Sequence, residues 1–215
     1  MREIWFAPLI VLLLAVASPL SAQPAASGGN SNAGAAAAPS PVSEQDRVLG
    51  KPDAPITIIE YASLTSPHCA HFAADVLPKI KEKWIDTGKA KLILRDFPLD
   101  DAALHAAMIA RCAPADRFYP LVDTFFQTQD KWVVAQDWKG ALQRIAQLAG
   151  IGKKRFDTCF SDKKLEDEVA QSRLNASQRL GVDATPTFYV NGTKFEGEPT
   201  LEAFNQLLAG LAEKS

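Results

Sequence analysis

The sequence predicts an α/β domain in which a helical segment interrupts a small sheet, and three observations predict it. A β-branched apolar run, "PITIIEYA" (Pro55 to Ala62), is followed by apolar residues at helical spacing and then by a second such run, "KLILRDFPL" (Lys91 to Leu99). From about Asp101 to Leu180 apolar side chains recur every three or four residues, and near the C-terminus Asn191-Gly192 separates two short β-prone segments. Strand, helix, strand in that order assembles most simply as a parallel βαβ unit, because parallel neighbours need a crossover between them.

Each element has its own justification. The first run is bounded by Pro and Asp on one side and Ser and Pro on the other, and it reads as a buried strand. After it, Phe72, Val76, Ile80 and Trp84 fall on one helical face. Pro67 suits the first turn of that helix, where its missing N–H is not needed, and Pro78 should kink it further on. The middle segment divides into "AALHAAMIARCA", "FYPLVDTFFQTQ", "WKGALQRIAQLAG" and "KLEDEVAQSRLNASQRL", with Gly150 and Gly181 placed as helix stops. "TPTFYVNGTKF" is a hairpin signal around Asn191-Gly192. Thr200 caps a last amphipathic helix whose buried face is Leu201, Phe204, Leu208 and Leu211. The expected order is βαβ, helical insertion, ββα.

The N-terminus has a different character. Arg2, the apolar "FAPLIVLLLAVA" and the small-residue end "SPLSA" form a secretory signal peptide over residues 1–22, cut near Ala22; an uncleaved anchor is the alternative, disfavoured by the short apolar core and Pro19. Residues 23–45, "QPAASGGNSNAGAAAAPSPVSEQ", lack aromatic side chains and read as a flexible low-complexity tether. The remainder, from Asp46, is one domain's length, and a 47% hydrophobic share is enough to fill its core. A net charge of −2 with acids and bases interleaved makes nucleic acid an improbable partner. Three cysteines in an exported chain leave at least one thiol without an intramolecular disulfide partner.

The element order, with "SPHCAHF" at the first helix and Thr185-Pro186 before the hairpin, resembles the DsbA-like branch of the thioredoxin superfamily. The matching pieces are "VLGKPDAPITIIEYAS", "SPHCAHF", "FFQTQDKW", "GVDATPTFYVNG" and the pair Cys112 and Cys159, so the likeness covers nearly everything from about Arg47 onward. It implies a thioredoxin fold in two parts, residues 46–100 and 181–215, with an all-helical insertion over 101–180. It also implies a periplasmic protein acting in disulfide formation or thiol–disulfide exchange, without a cofactor. Its partners would be thiols of exported proteins or peptides, with a membrane redox partner or glutathione to recycle it.

The family's turn reads Cys-Pro-His-Cys, whereas this chain has Ser66-Pro67-His68-Cys69. In the family the first cysteine is an exposed thiolate at a helix N-terminus, where unsatisfied N–H groups and the helix dipole favour negative charge. The second resolves the mixed disulfide. A serine hydroxyl forms no disulfide and keeps its proton at neutral pH, so the two-cysteine cycle is closed. Cys69 is then either a half-buried, inert, apolar residue or a monothiol that forms mixed disulfides. The alternative function is a redox-inactive peptide-binding or chaperone module using the same groove.

Other readings of the turn carry less. Ser66 with His68 as a hydrolase pair lacks a G-x-S-x-G elbow and an orienting acid, and a helix cap explains Ser66 better. His68, Cys69 and His71 do not share one helix face, and His105 is distant in sequence, so no metal site is expected. The resemblance assigns Cys112 and Cys159 to a structural disulfide, against two separate buried thiols. It assigns Thr185 and Pro186 to a cis-proline loop that pairs with substrate, and Glu60 to a buried acid that tunes the thiol. Without the resemblance Glu60 is an acid at a strand end that reaches solvent.

Overall fold

The computed structural model describes Met1, Glu3 and residues 37–214; the expected signal peptide and most of the tether lie outside the described residues. The chain divides into Met1–Ala35 and Ala36–Ser215, and the second unit carries the fold. Its strands are β1 Val48–Gly50, β2 Ile56–Ala62, β3 Ala90–Asp96, β4 Thr187–Val190 and β5 Thr193–Lys194, in the order β1-β3-β2-β4-β5. β2 and β3 are parallel, with Ile58 opposite Leu92 and Glu60 opposite Leu94, and the other three pairings are antiparallel.

Helix α1 covers residues 67–85 and provides the parallel crossover. Pro78, expected to kink it, lies in a short α-helical stretch between two π-helical turns. Two α-helical stretches, Pro67–His71 and Leu77–Ile80, alternate with π-helical turns at Phe72–Val76 and Lys81–Ile85. The first π turn comes just before Pro78 and leaves that residue in the opening turn of the next α-helical stretch, where its missing N–H costs little. Between β3 and β4 lie α2 Asp101–Cys112, α3 Phe118–Gln127, α4 Gln129–Trp132, α5 Trp138–Leu148, α6 Lys153–Phe160 and α7 Lys163–Leu180; α8 Leu201–Ala212 follows the hairpin. No described helix is long and apolar enough to cross a membrane.

β2 is covered on both faces. Ile56 and Ile58 pack with Phe72, Ile80, Phe204 and Leu208 of α1 and α8, whereas Ile59 and Tyr61 pack with Ala176 and Val182 at the end of α7. The inserted helices have a core of their own around Met108, Phe118, Phe125, Trp132 and Phe156, and Cys69 and Ala73 of α1 reach into it. The Ser66–Cys69 turn therefore lies where the two cores meet.

Three features differ from the sequence expectation. β1 is an extra edge strand, held against β3, and Gly50 ends it at φ 102°, where a Cβ would come within 2.6 Å of Ile85 Cγ2. The second strand stops at Asp96 instead of running to Leu99. The end of the expected tether is held by the body of the protein: Arg95 donates to the Pro41 carbonyl at 3.2 Å and Arg111 to the Gln45 carbonyl at 3.1 Å. Asp46, beside them, accepts from Arg95 at 2.9 Å, a pair shielded from water on both sides.

The Asn191-Gly192 turn has φ 47° and 82°, as a tight hairpin requires, and Thr200 Oγ1 accepts from Ala203 N at 3.2 Å as the cap of α8. Cys112 and Cys159 are joined, S–S 2.02 Å, across 47 residues that include α3 to α5. Closing a loop of that length restricts the unfolded chain by about 4 kcal/mol in the chain-entropy model. The double replacement Cys112→Ser/Cys159→Ser should lower unfolding free energy by that order in urea titrations; a loss under about 1 kcal/mol would show that the bridge adds little.

Candidate active site

The site is built at the start of α1. Ser66 has extended backbone, φ −78° and ψ 119°, and its hydroxyl oxygen accepts from Cys69 N–H at 3.4 Å. The same hydroxyl donates to the Thr185 carbonyl at 3.2 Å, so one side chain both caps the helix and ties it to the loop before β4. Ser66 is 3% exposed. Its oxygen is turned inward and fully engaged, unlike a nucleophile that must meet a partner protein.

The turn is fixed from two further directions. The Gln129 side-chain amide donates to the carbonyls of Leu64 and Ser66, at 2.9 and 3.0 Å. Thr65 donates to Asp100, the cap of α2, at 2.7 Å. Gln129 was visible only as part of "FFQTQDKW"; nothing in its periodicity marked it as the residue that clamps the turn.

Cys69 is completely buried, so the expectation of a half-buried residue is corrected. Burial is the main cause that pushes its thiol up to about 12, and the negative charge of Glu60 adds to it. Hydrogen bonding from Ser66, the Ser63 backbone and Thr185 acts the other way without offsetting the burial. A thiol in that state is almost wholly protonated at neutral pH and is screened from reagents. Folded protein at pH 8 should leave Cys69 unmodified by an excess of iodoacetamide over hours, and urea should release full reaction; rapid labelling without denaturant would contradict the burial.

Glu60 does not reach solvent. It sits within β2, 2% exposed, on the same face as Cys69, and Oε1 makes no hydrogen bond to the protein. Desolvation raises its carboxyl to about 8. His68 and Pro67 are on the exposed side of the turn. His71 is also exposed and contacts Asp75 at 2.6 Å, one helical turn on. Among the described residues no group of three or more His, Cys, Asp or Glu side chains is arranged to hold a metal ion.

Thr185-Pro186 is a cis peptide bond facing the turn. Beside it lies a groove of about 450 Å³ lined by His68, Phe72, Val76, Thr185, Pro186 and Leu201, among others. The structure thus brings Ser66, His68, Cys69, Glu60, Thr185 and Pro186 into one region, while Cys112 and Cys159 stand apart in the helical insertion.

Comparison with known proteins gives a consistent picture. A family model described as thioredoxin matches residues 42–209. The crystal structure of α-DsbA1 from Wolbachia pipientis is 38% identical, covering 81% of this chain and 94% of that one with a TM-score of 0.75. Oxidised BdbD from Bacillus subtilis, 24% identical, shares the fold over 83% of this chain and 98% of its own, TM-score 0.69. A Rickettsia bellii protein provisionally named a protein-disulfide oxidoreductase is 33% identical over 156 residues, 72% of this chain. The chain spans about 60% of the length of that curated relative.

Proposed function

This chain belongs to the DsbA-like branch of the thioredoxin superfamily, and we propose that it is an exported, periplasmic member whose groove receives extended, thiol-bearing segments of exported proteins while Ser66 halts the two-cysteine exchange. The family role in disulfide formation is the starting point. Exchange requires a thiolate at the helix start to attack or accept sulfur, and a second thiol to displace the mixed disulfide. Ser66 supplies neither electron pair nor leaving group of that kind.

One observation carries the reading: the Ser66 hydroxyl is buried and donates to the Thr185 carbonyl, while Cys69 behind it is 0% exposed. The first position has become a structural tie, and the remaining sulfur is out of reach of a partner. The groove beside Pro186 is independent of the Cys69 sulfur, which does not line it: its walls combine apolar Phe72, Val76, Pro186 and Leu201 with polar His68 and Glu198, among others. A chain laid there meets mixed apolar and polar walls and the loop before β4, which supports capture without exchange. A membrane redox partner or glutathione would matter only to a form with its first thiol restored.

A fluorescently labelled, unstructured peptide from an exported protein, titrated against the unaltered chain, tests this. Binding should be the same in Cys69→Ala and should fall roughly ten-fold in Pro186→Thr, which reshapes the loop. A loss in Cys69→Ala as large as that in Pro186→Thr would overturn a groove-based, sulfur-independent role.

A further inference from the structure

A second cavity, of about 390 Å³, opens between α1 and α3 over the sheet face that carries Glu60. Its walls are mainly apolar, with Leu77 from α1, Leu92 and Leu94 from β3, and Val122 and Phe126 from α3. Four other groups that line it are polar, and three of them have partners. Tyr119 accepts from Leu94 N–H at 3.2 Å and donates to the Arg47 carbonyl at 2.7 Å. Lys81 spends its charge on both carboxylate oxygens of Asp86, at 2.7 and 2.8 Å. Asp123 is exposed at the mouth and accepts from Gln127 at 2.8 Å. Glu60 alone is buried, with Oε1 lacking any hydrogen bond to the protein.

We propose that this cavity binds a small amphiphilic amine, whose apolar body fills the space between α1 and α3 and whose single ammonium group pairs with the Glu60 carboxylate. The size falls within the ~300–1,000 Å³ usual for small-molecule sites. The combination of apolar walls with one unmatched polar group is the pattern that selects ligand orientation. A cationic head is favoured over a neutral donor for two reasons. It restores to a desolvated carboxylate the charge partner that the protein withholds. The remaining charge at the mouth, Asp123, has the same sign as Glu60, and Lys81 is already neutralised by Asp86.

The site is separate from the groove at Pro186, and it gives the binding a proton signature. Glu60 is faced by Cys69 and Lys81 from α1 and by Tyr119 and Asp123 from α3. Lys81, the one cation among them, is held by Asp86, and desolvation leaves the Glu60 carboxyl largely protonated at pH 7. An ammonium ligand that pairs with it must displace that proton to solvent.

The test uses 2-phenylethylamine as probe and 2-phenylethanol as its neutral counterpart, on the whole folded chain at pH 7. Amide shifts should saturate with the amine and centre on Leu77, Leu92, Leu94 and Phe126. Calorimetry in buffers of different ionisation enthalpy should show close to one proton released per amine bound. The alcohol should bind roughly ten-fold more weakly or worse, and Glu60→Gln should abolish the preference between the two probes. Equal affinity of amine and alcohol, absence of proton release, no saturable binding, or shifts centred on the Pro186 groove would each overturn the proposal. The probe comparison and the proton count need no variant, so they stand even if Glu60→Gln misfolds.

Discussion

Replacing Ser66 by cysteine is expected to switch on catalytic oxidation of a reduced, disulfide-containing substrate, from near the uncatalysed rate in the unaltered chain. The gain can be sized from ionisation. A thiol at a helix N-terminus titrates at about 7 or below, so most of it is thiolate at pH 7.5. The Cys69 thiol, pushed up to about 12, is ionised there to only about a few parts in 10⁵. The less basic thiolate is intrinsically the weaker nucleophile, and that returns roughly two of the four to five orders of magnitude. A net advantage on the order of a hundredfold remains before access is counted. Access enlarges it, because Cys69 is fully buried. In Ser66→Cys the buried sulfur becomes the resolving thiol, which is the one role its position suits. Refolding of reduced ribonuclease, with oxidised glutathione as the terminal oxidant that returns the protein's dithiol to the disulfide, measures the difference by recovered activity, and comparable rates for the two forms would sink the argument.

Glu60→Gln should make the protein more stable at pH 8 and leave it nearly unchanged at pH 4. A carboxyl at about 8 in the folded state, against about 4.5 in the ordinary state, binds a proton more tightly when folded. Stability contributed by that proton is complete below about pH 4.5 and is lost as pH rises towards 8. The fall cannot exceed roughly 5 kcal/mol, since each unit of difference is worth about 1.4. Glutamine keeps the shape and removes the charge, so the variant's stability should not show this decline. Subtracting urea unfolding curves of the two proteins at pH 4, 6 and 8 isolates Glu60 from every other titrating group. A constant difference across those three values would mean the carboxyl is solvated after all.

Much of the architecture could be read from local pattern. β2, the Asn191-Gly192 hairpin, the Thr200 cap and the apolar face of α8 each carry a short-range signal, because their residues are chosen by local backbone geometry or by one buried face. β1 carries none: three residues are too few for an alternation, and the strand exists only through its ladder to β3. Anchoring of Pro41 to Asp46 was hidden for a similar reason, since it depends on Arg95 and Arg111, about fifty to sixty-five residues away in sequence. At the site, the serine and its capping role were plain from the turn itself. The Thr185 tie, the Gln129 clamp and the complete burial of Cys69 were not, because they arise from three segments meeting in space. Glu60 shows the same limit: the resemblance marks it as a buried acid, whereas its local pattern alone reads as an acid at a strand end that reaches water.

Mass analysis of the unaltered, folded chain after incubation with oxidised glutathione and a reduced dithiol peptide tests the central claim most directly. The expected result is an unmodified Cys69, an intact Cys112–Cys159 bridge and no oxidised peptide beyond the protein-free control. A glutathione or peptide adduct on Cys69, with oxidised peptide accumulating over successive turnovers, would contradict it.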